Sequence, residues 1–237
     1  MLYVADLVYP PVVGVMKTLW KTLGLKFDFQ GQEHLPDTHH GGAVLAMNHI
    51  SYLDFALVGT AALPMKRYVR FMAKKEIFDN RLAGPLMRGM HHISVDRSNG
   101  SASLVAALHA LRDGEIIGIF PEGTISVSFE IKELKSGAVR LAQGAGVPVI
   151  PTIIWGSQRL WTKKVKRNLM QRGVPITVVF GEPIYFGKDS DVEAGEAVLR
   201  ATMVKMLHEV QEKYPDSHQG QRWAPVRLGG TAPAPLN

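Results

Sequence analysis

The chain has 237 residues, 46% apolar and 20% charged, and at that length folding buries roughly 70–75% of the unfolded surface around one core. Zero cysteines exclude a disulfide framework, a thiolate-ligated zinc site and any enzyme working through its own cysteine. The net charge of +6 favours an anionic partner, whether nucleic acid, anionic lipid or a phosphorylated substrate, without choosing among them.

No uninterrupted apolar run reaches about 18 residues, so a classical membrane span is not expected. The apolar start is broken at Asp6 and by Pro10-Pro11, which is not the layout of a cleavable signal peptide. Those prolines suit a helix start. Beyond them Val12, Val13, Met16, Leu19, Trp20 and Leu23 share one side, with Lys17, Thr18, Lys21 and Thr22 opposite, as a 3.6-residue period requires. Such an amphipathic helix within Met1–Leu25 either docks on the core or lies flat in a lipid interface.

A βα alternation follows. Strands are predicted over Lys26–Phe29, Ala43–Met47, Val69–Ala73, Ile93–Val95, Ile116–Phe120, Val147–Ile154 and Ile176–Phe180. Helices are predicted over Leu53–Leu63 (entered through Ser51 as N-cap), Arg81–Met90, Ser101–Leu111, Leu134–Gln143 and Val192–Val210. Residues 214–237 are Pro/Gly-rich and polar and read as a flexible tail. The pattern predicts a single α/β domain over residues 26–213, with a mostly parallel or mixed central sheet flanked by helices.

Three polar clusters follow predicted strands, where ligands of open α/β sheets gather. In Asn48–Asp54, His49 follows a buried strand and Asp54 lies one turn into a helix, close enough to bond the imidazole and leave its other nitrogen as a base. The bland alternative is a structural histidine. In Gly89–Arg97, Arg97 ends a strand and suits a phosphate, or forms a surface pair with Asp96. The neighbouring His91-His92 do not read as a metal site, because adjacent strand residues face opposite ways. In Phe120–Ser126, Glu122 directly after an apolar strand needs partners, and so anchors a loop or a substrate group. Gly123 permits close backbone approach, although Pro-Glu-Gly is also simply a good turn. No G-x-S-x-G, G-x-G-x-x-G, P-loop or H-E-x-x-H pattern is present. Two basic runs stand out: Lys66, Arg67, Arg70, Lys74 and Lys75; and Arg159–Arg172 beside Trp155 and Trp161, suited to an anionic membrane surface or to nucleic acid.

In this order the clusters resemble the glycerolipid acyltransferase family, of the 1-acylglycerol-3-phosphate acyltransferase type. The resemblance rests on N-H-x-x-x-x-D at Asn48–Asp54, the block at Gly89–Arg97, F-P-E-G-T at Phe120–Thr124 and V-P-V-x-P at Val147–Pro151, with support from Ala73–Phe78. It spans roughly residues 40–185.

The resemblance implies acyl transfer from acyl-CoA or acyl-carrier protein, as co-substrate with no other cofactor or metal, to lysophosphatidic acid, giving phosphatidic acid. Glycerol 3-phosphate or another lysolipid is the alternative acceptor. His49 would be the general base oriented by Asp54, with no acyl-enzyme. Arg97 and Lys74 would hold the phosphate, Glu122, Gly123 and Thr124 would shape the acceptor site, and Gly123-region N–H groups would serve an oxyanion. Val147, Pro148, Val149 and Pro151 would line an acyl channel. It further implies a peripheral enzyme on the cytoplasmic face of the membrane, docked through Met1–Leu25 and the basic stretch Arg159–Arg172, with no nucleic acid partner. Where the family usually has Arg after Glu-Gly-Thr, this chain has Ile125, which leaves Lys132 or Arg140 to replace that contact. A thioesterase, and a non-catalytic module binding lipid or polyanion, are the rival readings.

Overall fold

The computed structural model describes residues 7–37, 41–96 and 100–234. Its strands are β1 (Lys26–Gln30), β2 (Ala43–Met47), β3 (Val69–Lys74), β4 (Ile93–Val95), β5 (Ile116–Ile119), β6 (Val149–Trp155) and β7 (Pro175–Phe180). The helices are α1 (Tyr9–Leu23), α2 (Asp54–Ala62), α3 (Lys75–Asp79), α4 (Ala83–Gly89), α5 (Gly100–Arg112), α6 (Gly137–Ala145) and α7 (Val192–Glu212).

The seven strands form one sheet in the order β1-β7-β6-β2-β5-β3-β4. From β6 to β4 all neighbours are parallel, while β7 meets β6 antiparallel and β1 joins β7 in parallel. The sheet is therefore mixed, and five strands carry their C-terminal ends to one edge.

Strand alternation divides the core in two. Val44, Ala46, Ile117, Ile119, Val149 and Ile153 face α5, α6 and α7 through Ala107, Leu141, Leu199 and Met203. Leu45, Met47, Ile116, Ile150 and Ile154 face the other way, onto Trp20 and Leu23 of α1 and Leu57, Val58 and Ala61 of α2. Coverage of both faces is what the unbroken apolar runs of β2 and β6 require. Gly118 makes room for the aromatic next door: a Cβ there would meet Phe71 Cδ1 at 2.7 Å and Val69 Cγ1 at 2.9 Å. Asp191 caps α7 by accepting from the Glu193 and Ala194 N–H groups, and α6 stops at Gly146 with φ 70°.

Several expectations are corrected. Ser51 does not cap α2, whose cap position is Leu53. Its hydroxyl accepts from the Leu53 N–H and donates to the Trp161 carbonyl, a tertiary bond that spacing alone does not reveal. The helix expected over Arg81–Met90 is α4 alone, with α3 before it and Asn80 Oδ1 accepting from the Leu82 and Ala83 N–H groups at the break. The chain past Pro215 packs instead of trailing free. Ala224 and Ala232 are buried, Trp223 rests against Trp155 and Tyr214, and Arg159 pairs with Asp216. Its polar composition concealed the few side chains that dock.

The two arginines of the first basic run are structural. Arg67 is buried and donates to the Pro36, Gly41 and Gly114 carbonyls. Arg70, also buried, pairs with Glu115 at 3.1 Å and donates to the Met90 carbonyl. The first helix docks on the core through Tyr9, Trp20 and Leu23, yet Val15 and Leu19 stay exposed.

Candidate active site

His49 leaves the C-terminal end of β2, the strand between β5 and β6, so three chain segments converge on it. Asn48 ties β2 to β6: its Oδ1 accepts from the Ile154 N–H at 2.7 Å and its Nδ2 donates to the Ile154 carbonyl at 3.0 Å. The chain then turns, and α2 brings Asp54 back beneath the imidazole. His49 Nδ1 lies 3.0 Å from Asp54 Oδ2.

The carboxylate is wholly buried and saturated with donors. Oδ2 also accepts from the Ile50 and Ser51 N–H groups, each at 2.8 Å, and Oδ1 accepts from Ser157 Oγ at 2.6 Å. A buried carboxylate needs donors of this number. Its bond fixes which imidazole nitrogen faces inward. The other nitrogen looks outward from a side chain 20% exposed. The Phe120 ring stacks on the imidazole, centroids 4.0 Å apart and planes 21° apart.

Glu122 enters from the end of β5 but turns inward. Its Oε1 accepts from the His49 N–H at 2.8 Å and its Oε2 from the Lys132 N–H at 3.2 Å, while Ser126 N–H donates to the His49 carbonyl at 2.7 Å. Burial pushes the Glu122 carboxyl up to about 7, against the opposing pull of those N–H donors. Of the two roles open to it, the structure shows the loop anchor. Gly123 adopts φ 70° and its N–H donates to the Phe120 carbonyl at 2.9 Å, so that N–H closes the turn and is not free for an oxyanion. Thr124 is exposed at the rim, held by Lys132 Nζ at 2.7 Å from both its carbonyl and its hydroxyl.

Lys74 ends β3, exposed on the same edge of the sheet. Arg97 lies outside the described residues. Ile125 is buried, and Arg140 sits on α6 bonded to Ser136 Oγ. The four residues expected to line an acyl channel are not gathered at His49. Val147 and Pro148 precede β6 at the opposite edge of the sheet, and Val149 pairs with Val44, roughly 15 Å back along the strand from His49. Pro151 pairs with Ala46 inside the sheet. The reason is topological: parallel strands put their starts and ends on opposite edges.

Sequence reasoning missed Ser157 and Thr162. Ser157 follows β6 as His49 follows β2, so a strand-end rule applied to β6 would have found it. Thr162 Oγ1 donates to the Ile50 carbonyl at 2.6 Å, and Tyr52 N–H to the Trp161 carbonyl at 3.1 Å. Part of the second basic run is thereby bound to the turn carrying His49. A surface cleft of about 390 Å³ includes Asp28, Thr177, Met206 and Lys213 at the β1–β7 side and does not include His49.

A family model described as acyltransferase matches residues 26–155, which carry the β2 turn and the β5 turn together. The chain belongs to the acyltransferase family. It is an enzyme of that class. A 1-acyl-sn-glycerol-3-phosphate acyltransferase of Bacillus subtilis (strain 168) is 30% identical over 185 residues, covering 77% of this chain and 86% of that protein. Another so named, from Limnanthes alba, is 32% identical, covering 74% of this acyltransferase and 60% of the plant chain. In architecture it is similar to the crystal structure of the 1-acyl-sn-glycerophosphate (LPA) acyltransferase PlsC from Thermotoga maritima, with TM-score 0.72 at 20% identity, over 87% of this chain and 81% of that one.

Proposed function

We propose that the enzyme transfers a fatty acyl group from a thioester, acyl-CoA or acyl-carrier protein, to the free hydroxyl of lysophosphatidic acid, forming phosphatidic acid. The single observation that carries this reading is the His49–Asp54 pair: a base oriented by a saturated buried carboxylate, its outer nitrogen open. The acceptor hydroxyl bonds to that nitrogen, which takes its proton as the oxygen attacks the thioester carbonyl. The tetrahedral intermediate expels the thiolate, and His49 returns the proton to the departing sulfur. Asp54 holds the ring and stabilises the transient imidazolium. General-base help of this kind is worth about 10²–10⁴-fold. The substrate's own hydroxyl is the nucleophile, consistent with a chain that has no cysteine. Lys74, exposed at the end of β3, and Arg97 are proposed as phosphate contacts.

The enzyme docks as a peripheral protein on the cytoplasmic face of the membrane. No described helix is long and apolar enough to cross a bilayer. Leu7 and Val15 at α1, and Leu82 and Leu86 at α4, are exposed apolar side chains. The two helices meet where Val8 lies against Gly89. That region suits insertion among lipid headgroups.

The test is thiol release from palmitoyl-CoA with lysophosphatidic acid, glycerol 3-phosphate or no acceptor, for wild type and His49→Ala. Release that requires lysophosphatidic acid and is lost by about 10²-fold or more in the variant supports the reading. Release with glycerol 3-phosphate alone replaces the acceptor, and release without acceptor makes the enzyme a thioesterase. No release from folded protein in liposomes with acyl-CoA or acyl-carrier protein overturns the catalytic reading.

A further inference from the structure

The segment that follows α7 reaches the His49 turn by two separate routes. The first runs through the short 3-10 turn Ser157–Arg159 at the end of β6. Arg159 extends from that turn into the segment: its Nη1 donates to Tyr214 Oη at 3.0 Å and to Asp216, and its guanidinium lies over the Trp223 ring, 4.6 Å from the centroid. One residue earlier, Gln158 Nε2 donates to the Trp223 carbonyl at 3.2 Å while its Oε1 accepts from the Gly156 N–H at 2.9 Å. Ser157, at the head of the same turn, is the donor to Asp54 Oδ1. Arg159 opens the second basic run, yet its charge faces the protein's own C-terminal segment.

The second route runs through Glu130, in the loop that leaves β5. Arg227 Nε donates to Glu130 Oε1 and His208 Nε2 lies beside Oε2, each at 3.3 Å. Arg227 also donates to Gln211 Oε1, and Gln211 Nε2 donates to the Phe129 carbonyl at 3.4 Å. Phe129 is buried with φ 61°, a left-handed conformation that a residue bearing a Cβ keeps only where its surroundings impose it. The Glu130 carbonyl in turn accepts from Ser126 Oγ at 2.7 Å, and the Ser126 N–H donates to the His49 carbonyl at 2.7 Å.

We infer that Arg159 and Arg227 are positioning residues through which the C-terminal segment braces the His49 turn, one from behind Asp54 and the other from behind the His49 backbone. The inference rests on the acyl-transfer reading for its effect on turnover. Neither target is fixed by regular structure of its own. Asp54 is the first residue of α2, whose cap position carries no side-chain bond, and residues 120–136 are neither helix nor strand. Both take their place from what packs behind them. A base that must meet a hydroxyl within hydrogen-bond reach loses rate steeply when that place shifts by a fraction of an ångström.

Steady-state kinetics and hydrogen–deuterium exchange on the full chain test the braces, with Arg159→Met, Arg227→Met, the two corresponding lysine variants and Ser157→Ala. Each methionine variant lowers kcat about tenfold and changes KM for palmitoyl-CoA and for lysophosphatidic acid by less than about twofold, and lysine recovers part of the loss. The two methionine changes together lower kcat about a hundredfold, because the routes share no bond. In the Ser157→Ala background Arg159→Met lowers kcat no further, whereas Arg227→Met keeps its full effect. A fold that is merely weakened shows no such dependence. Exchange reads the same routes without turnover: peptides spanning residues 49–57 exchange faster in Arg159→Met, and those spanning 120–131 in Arg227→Met. Wild-type kcat in both methionine variants overturns the proposal, as does an Arg159→Met loss that persists undiminished without Ser157. Should a methionine variant fail to fold, Asp216→Asn, at a half-exposed position, and Glu130→Gln loosen the same two arginines and give the same split on a smaller scale. These exchange differences in a chain whose wild type transfers no acyl group would overturn the acyl-transfer reading and leave the two braces standing.

Discussion

Ser157 Oγ donates to Asp54 Oδ1 at 2.6 Å, across 103 residues of sequence, and joins the end of β6 to the partner of His49. The other carboxylate oxygen already serves His49 and two backbone N–H groups. Ser157 is therefore a positioning residue: it sets the plane of the carboxylate that sets the plane of the imidazole. Ser157→Ala leaves Oδ1 without that donor in a buried setting, a loss of about 1–3 kcal/mol. Thermal unfolding measures that cost. The role in positioning predicts in addition a kcat lowered by roughly tenfold, with KM for the thioester little changed. An unaltered kcat in a destabilised variant would reduce Ser157 to a structural part.

Glu122 gives a pH dependence whose sign follows from burial. Its carboxyl titrates near 7 in the folded chain and near 4.5 when unfolded. Between those values the native state holds the extra proton, so stability falls as pH rises from 4.5 through 7. The total is about 3 kcal/mol. Glu122→Gln removes this slope. Melting curves of wild type and variant, subtracted pH by pH, should show the wild type losing ground steadily up to about pH 7 and levelling above it.

His92 tilts the other way. Burial first, then the Arg70 charge, lowers it from 6.5 to about 4, and its Nδ1 accepts the Phe71 N–H at 3.1 Å. Here the unfolded chain takes the proton first, so stability present above 6.5 is lost as pH falls toward 4. In acid titrations His92→Gln should flatten the decline between pH 6.5 and 4, and an unchanged decline would assign it to other groups.

The Phe71 ring lies where a side chain at position 118 would stand. Gly118→Ala forces that ring or β5 aside, a cost of about 1–3 kcal/mol. For a chain of this size the melting temperature should drop by roughly 2–4 °C for each kcal/mol. Phe71→Leu in the same chain should recover part of the loss. Recovery identifies the ring, not the strand backbone, as the obstacle.

The proposed docking on lipid is tested most directly through α4. Leu82 is 84% exposed and Leu86 46%, so Leu82→Asp/Leu86→Asp should leave melting unchanged. Each apolar side chain moved out of water contributes about 1.5–3 kcal/mol, so binding to anionic vesicles should weaken by roughly a hundredfold or more. Cosedimentation with such vesicles measures it, and equal binding by both proteins would move the docking face elsewhere.

The strands were legible because β2, β5 and β6 are buried on both faces and read as unbroken apolar runs. His49 and Asp54 were legible because both lie within one turn, five residues apart. What escaped the sequence are contacts between distant segments. Ser157 reaches Asp54 from the far end of another strand, and the destination of Arg67, the carbonyls of Pro36, Asp37, Gly41 and Gly114, is set by packing alone. The same limit bears on Val147–Pro151, expected to line an acyl channel: spacing along a chain does not say on which edge of a sheet a strand begins. The packing of Ala224 and Ala232 was hidden for a different reason, since two small apolar residues in a polar segment leave no periodicity to detect.

The stack of Phe120 on His49 restricts direction as well as position. One face of the imidazole is covered and one nitrogen is tethered. On the proposed mechanism a proton then leaves the acceptor along a single line, in the plane of the ring. A flexible glycerol backbone carries more than one candidate oxygen, and the ring does not swivel to meet whichever comes nearest. Regiochemistry is thereby delegated to whatever grips the far end of the acceptor, and moving that grip by one bond length would change the product without touching the base.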